Sequence, residues 1–140
     1  MKRIAVIGLA VVITIFSAGE VVAANATELE AIKLVQNYIP NPEKAGGRVY
    51  GFPVLWFISG ILTDFEKTSV WPVEALGWDA TEVGSSDPRY APNIYKVTYT
   101  IRTKTADGGQ TVDVSWEFMA NLTTGVVAPN NDLAKRLWKR

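Results

Sequence analysis

Two runs of strict alternation mark the second half of the chain. Tyr95, Val97, Tyr99 and Ile101 alternate with Lys96, Thr98, Thr100 and Arg102. After Ala106-Asp-Gly-Gly109, Val112, Val114, Trp116, Phe118 and Ala120 alternate with Thr111, Asp113, Ser115 and Glu117. Successive side chains on a strand point to opposite faces, so each run is a half-buried strand, and the glycine-containing break makes the pair a β-hairpin. A one-residue slip would exchange the dry and wet faces, which rules out half of all registers. A four-residue loop at 106–109 puts Tyr99 opposite Trp116, Val97 opposite Phe118 and Arg102 opposite Asp113. Met119 alone breaks the pattern, an apolar side chain on the wet face.

A different period governs the segment before it. Leu29, Ile32, Val35 and Ile39 recur at helical spacing, widened by Ala31, Leu34 and Tyr38. Glu28, Glu30, Lys33, Gln36 and Asn37 fall on the other side. Thr27-Glu-Leu-Glu30 has the T-x-x-E form of a capping box, and Pro40 and Pro42 stop the helix. Asn41 to Arg48 reads as a polar loop. Val49 to Thr63 then carries no charge. That run is short for a membrane span and is interrupted by Pro53 and Gly60. A helix from Pro53 to about Lys67, burying Val54, Phe57, Ile58, Ile61, Leu62 and Phe65, is favoured over a buried strand.

Val73 to Val83 predicts a further strand with Leu76, Trp78 and Ala80 on one face, and Gly77 or Asp79 marks a bulge. Gly84 to Asn93 is a loop on composition. Thr123-Thr-Gly125 is a turn, and Val126-Val127 reads as a short strand. Pro129-Asn-Asn-Asp132 introduces a last helix, with Leu133 and Leu137 four apart and Lys135 and Arg136 suited to its C-terminal end.

Composition changes the picture at the N-terminus. Lys2 and Arg3 precede the uncharged run Ile4 to Phe16, and small residues gather in Ser17 to Ala26. This is the form of a secretory signal peptide, with candidate cuts after Ala23, Ala24 or Ala26. The expected organisation is therefore a signal peptide over 1–24 and one domain over 25–140, exported to the periplasm or secreted. The 116 residues from Asn25 to Arg140 hold twelve bases and thirteen acids. A chain so close to neutral carries no global signature for nucleic acid or for an anionic membrane. With no cysteine, the domain must rely on its hydrophobic core rather than on disulfides.

The chain also lacks histidine. Ser-His and Cys-His nucleophiles are excluded, as are imidazole and thiolate zinc sites and thiol redox chemistry. No cofactor or metal is implied. Asp113 and Glu117 share a face roughly 13 Å apart and read as solvated partners of Arg102 and Lys96. Five tryptophans are many for this length, and their first reading is an enlarged core. A cleft lined by some of them is the competing reading, and Trp78, Trp116, Tyr99 and Trp56 are its candidates.

The order of elements predicts an α+β fold, with an N-terminal helix packed on a curved antiparallel sheet of three to four strands and a short C-terminal helix. At the level of architecture it resembles cystatin-like and ketosteroid-isomerase-like cone folds, which wrap a sheet around a long helix. No diagnostic motif of either family is present, and a shared architecture does not convey function. The expected role is a non-catalytic exported domain that binds a protein, a peptide or a small apolar ligand, without a stable membrane span once the leader is cut. Two alternatives stand beside it. One is a small cone-fold enzyme whose general base is Asp79 or Glu82 beside Trp78, since a carboxylate in an apolar pocket gains basicity. The other is a membrane-associated accessory subunit, which requires residues 49–63 to lie exposed.

Overall fold

The computed structural model describes residues 26–88 and 90–139, so the apolar N-terminal run and the candidate cuts after Ala23 and Ala24 lie outside it, whereas the candidate cut after Ala26 falls at the first described residue, which begins a helix. Helix α1 (Ala26–Asn37) is followed by strands β1 (Glu43–Ala45) and β2 (Arg48–Tyr50), then by helix α2 (Val54–Thr68). Strands β3 (Glu74–Glu82), β4 (Ile94–Lys104), β5 (Thr111–Asn121) and β6 (Val126–Pro129) come next, and helix α3 (Asp132–Leu137) closes the fold. The four long-range strands form one antiparallel sheet in chain order, β3-β4-β5-β6. α1 packs across β3, β4 and β5, while α3 lies against β5 and β6. This is the expected α+β layer.

The hairpin adopts the register that the alternation requires. Tyr99 faces Trp116, Val97 faces Phe118 and Arg102 faces Asp113. On the wet face the Arg102 guanidinium grips the Asp113 carboxylate through Nε (2.7 Å) and Nη2 (3.0 Å), and Thr100 and Ser115 share a hydroxyl bond of 2.8 Å. The loop is closed by the Thr105 N–H donating to the Gln110 carbonyl. Inside it the Asp107 carboxylate accepts from the Thr105 hydroxyl (2.6 Å) and the Gly109 N–H (2.8 Å), which holds its pKa below the ordinary value. Met119 is half-buried on the outer face between Lys96 and Ala128.

Three expectations are corrected. The polar loop contains a two-stranded hairpin, β1–β2, turning through Gly46 and Gly47 at φ 56° and 77°. Two successive positive φ angles suit the tight turn that matches strand twist, and glycine adopts them freely. Helix α1 begins at Ala26, so Thr27 stands inside its first turn rather than ahead of it. Gln36, assigned to the polar side, is buried with Ala31, Ile32 and Val35. The buried arc of α1 is wider than its apolar stripe because the helix meets both the sheet and α2.

The other departures are smaller. α2 begins at Val54 with Pro53 extended before it, and only Val54 and Ile58 of its apolar residues are fully buried. Phe57, Ile61, Leu62 and Phe65 are half-buried against the core. In β3 the bulge falls at Leu76 and Gly77, where φ is 91°, and Asp79 pairs regularly with Thr98. At the far edge Pro129 ends β6 because it has no N–H to continue the ladder. Asn130 and Asn131 take over: the Asn130 N–H donates to the Glu117 carbonyl (2.8 Å), and Asn131 bonds the Glu117 N–H and the Ser115 carbonyl.

Candidate functional site

The period-2 pattern of three strands builds one aromatic row on the inner face of the sheet. Trp78 of β3, Tyr99 of β4 and Trp116 of β5 stand directly opposite one another. Ring centroids are 5.1 Å apart for Trp78–Tyr99 and 6.3 Å for Tyr99–Trp116, and Phe118 stacks near Trp78 at 6.4 Å. All four rings are buried. They form a packed wall of the core, with α1 crossing the same three strands. Burial, and secondarily the Glu66 carboxylate of α2, raise the Tyr99 phenol above its ordinary pKa.

Trp56 has a different environment. It stands 54% exposed on α2, stacked on Phe52, itself 52% exposed, with centroids 4.1 Å apart. Phe57 meets both rings edge-on, at 5.4 Å from Trp56 and 6.2 Å from Phe52. The other four tryptophans are buried or half-buried. Of the four aromatic candidates, three are thus brought together inside the core, and the fourth heads a separate cluster at the surface. Phe52 and Phe57 were not singled out by sequence reasoning. Phe52 precedes the helix and Phe57 sits in its apolar stripe, so neither position announces a surface role.

Asp79 and Glu82 are both exposed. Neighbouring residues on a strand point to opposite faces, so Asp79 is directed away from Trp78 and toward the outer surface. Glu82 shares the inner row but lies at the strand's end, opposite Tyr95. Neither carboxylate sits in the apolar pocket that a general base of this kind needs. Among the described residues no three acids gather closely enough to hold a metal ion. No helix among them is long and apolar enough to cross a membrane.

Residues 49–63 give a divided picture. Val54 and Ile58 are buried, whereas Phe52, Trp56, Ser59, Gly60 and Thr63 are exposed. Near the head of α2 lies an open groove of about 560 Å³ lined by Glu30, Lys33, Leu34, Asn37, Tyr38, Ile39 and Pro42. Compared with protein-family models, with curated proteins and with solved structures, the chain shows no match. The site must therefore be read from its own geometry.

Proposed function

We propose that the protein is an exported, non-catalytic binding domain, working in the periplasm or outside the cell. It holds its partner, a protein, a peptide or a small apolar ligand, against the Phe52–Trp56–Phe57 cluster. Export rests on the basic and apolar N-terminal run with its small-residue exit. The binding role rests on one observation, the stacked and half-exposed pair Phe52–Trp56 on a domain whose other tryptophans are buried or half-buried. Exposed rings are costly to leave in water and are the usual anchors of a contact surface. The absence of histidine and cysteine removes the commonest nucleophiles and supports the non-catalytic reading.

Tryptophan emission tests it. A panel of apolar peptides and small apolar ligands is titrated into the wild type and into Trp56→Ala. Binding is expected to shift the wild-type emission to the blue and to weaken at least about tenfold in the variant, the usual cost of losing a contact anchor. Affinity unchanged by Trp56→Ala, with the same thermal midpoint, would overturn the assignment of the surface.

A further inference from the structure

The outward side of α2 carries a row of its own, separate from the one that packs on the core. Trp56, Gly60, Thr63 and Lys67 recur at intervals of four, three and four, the spacing of positions that meet a facing helix in a coiled coil. All four are exposed. The row continues at three-residue intervals to Pro53 ahead of the helix and to Val70 beyond it, and Val70 is 84% exposed. Of the five large apolar side chains exposed among the described residues, Phe52, Trp56 and Val70 thus lie at the two ends of one helix.

Nothing within a single copy calls for Gly60. Glycine in a helix interior weakens the helix, yet a Cβ at this position would meet nothing within 4 Å. Such a glycine is of use where another backbone comes close. Thr63 already donates its hydroxyl to the Ser59 carbonyl (3.0 Å), so its polar atom needs nothing from a neighbour. Lys67 forms no ion pair among the described residues.

We propose that α2 docks antiparallel on α2 of a second copy of this chain. A two-fold axis midway between residues 60 and 63 sets Gly60 against the partner's Thr63 and Trp56 against the partner's Lys67, and the reverse. It also brings Val70 to the partner's Pro53, next to Phe52. The row is therefore its own complement. Lys67 lays its apolar stem along the partner's Phe52–Trp56 rings and its ammonium against the indole. Val70 covers the apolar end beside it, and Gly60 lets the two backbones close at the axis. Parallel pairing would instead oppose the two Lys67 ammonium groups. The pairing rests on the Phe52–Trp56 cluster being a contact surface and gives that surface its partner. A foreign protein would have to bring a matching row, whereas a second copy carries one. One helix pair is a small contact by the standard of stable dimers, so the association is expected to be weak and concentration-dependent.

Sedimentation equilibrium tests this on the chain from Asn25 onward, since every element of the fold lies within residues 26–139. A monomer–dimer equilibrium is expected as the concentration rises toward about 1 mM. Trp56→Ala should weaken it at least about tenfold, and Lys67→Gln about fivefold. Gly60→Glu should abolish it without lowering the melting temperature of the monomer. The added side chain meets only solvent in a single copy and crowds the axis in the pair. The chain holds no cysteine, so single introduced thiols report the orientation. On mild oxidation Thr63→Cys, beside the axis, should cross-link, whereas Val70→Cys, at opposite ends of the pair, should not. A monomer at every concentration would overturn the proposal. So would a dimer that keeps its affinity in both Trp56→Ala and Gly60→Glu, or cross-linking by Val70→Cys and not by Thr63→Cys. If a monomeric chain still binds apolar peptides through Trp56, only the second copy has failed as the partner. If the peptide response is absent too, the contact surface itself has failed.

Discussion

Gly108 of the β4–β5 loop lies flat against the indole of Trp71, which comes from the segment between α2 and β3. A Cβ at Gly108 would stand 2.8 Å from both Cε2 and Cη2 of that ring, inside any real carbon contact, and nearer still to Cζ2. The indole is held in place from two other sides. Its Nε1–H donates to the Ala106 carbonyl (3.3 Å), and the Lys104 ammonium sits 5.4 Å over the ring. One tryptophan thereby ties the exit of α2 to the tip of the hairpin.

Gly108→Ala is expected to destabilise the domain by about 2–3 kcal/mol, from two sources. Its φ of 74° lies in the left-handed region, where a side chain costs about 1 kcal/mol. Displacing the indole supplies the rest. The sources separate in a double-mutant cycle. In a Trp71→Ala background only the backbone cost should remain. Denaturant melts of the four proteins provide the check, and an equal penalty in both backgrounds would remove the ring from the account.

Asn131 is the second position where one side chain joins two elements. Its Oδ1 accepts from the Ala134 N–H (3.0 Å), capping α3, and from the Glu117 N–H of β5 (3.2 Å), while Nδ2 donates to the Ser115 carbonyl (2.8 Å). Losing a cap costs about 1 kcal/mol, and stranding a strand N–H costs about as much again. Asn131→Ala should therefore cost about 2–3 kcal/mol. Asn131→Asp keeps both acceptor bonds and should cost less. Amide exchange at Glu117 should quicken in Asn131→Ala, and protection there equal to wild type would show that the bond to β5 carries nothing.

The hairpin was legible because its alternation runs for eight residues or more on each side, long enough for register to be decided by matching faces and by the Arg102–Asp113 charge pair. Helix α1 was legible for the same reason at its own period. The β1–β2 hairpin was not, because three-residue strands are too short to show a period, and Gly46-Gly47 was its only signal. Binary patterning placed Gln36 outside because it reads polarity and not which neighbours a helix will meet. The aromatic candidates divided for a related reason. Alternation puts Trp78, Tyr99 and Trp116 on a shared inner face. α2 is apolar on nearly every side at its N-terminal end, so no pattern there says that Trp56 and Phe52 are left outside.

Gln36 carries a stability cost that substitution can recover. It is buried, and its Nε2 has no hydrogen-bond partner among the described residues. A buried amide donor without a partner costs about 1–3 kcal/mol. Gln36→Leu, close in volume, is expected to stabilise the domain by about 1 kcal/mol after allowance for imperfect repacking. Gln36→Glu buries a charge and should act in the opposite direction. A thermal midpoint that falls in Gln36→Leu would mean that the amide is bonded, through a water or otherwise.

Tyr99 gives the fold an alkaline sensitivity whose sign follows from its shift. Burial chiefly, and Glu66 in addition, raise the phenol above its ordinary value of 10.0. Below pH 10 both the folded and the unfolded chain keep the proton, and the group has no effect on stability. Above pH 10 the unfolded chain releases it first, so the folded state holds more protons and stability falls as pH rises. The fall continues until the folded pKa is passed, with a slope of at most about 1.4 kcal/mol per pH unit. Tyr99→Phe retains the ring in the Trp78–Tyr99–Trp116 row and removes the titration. The stability difference between wild type and Tyr99→Phe should be constant below pH 10 and should shift in favour of the variant above it. Glu66→Gln should reduce this shift without removing it, because burial is the larger cause. Urea melts across the alkaline range decide the matter, and parallel pH profiles for wild type and Tyr99→Phe would show that the phenol titrates alike in both states.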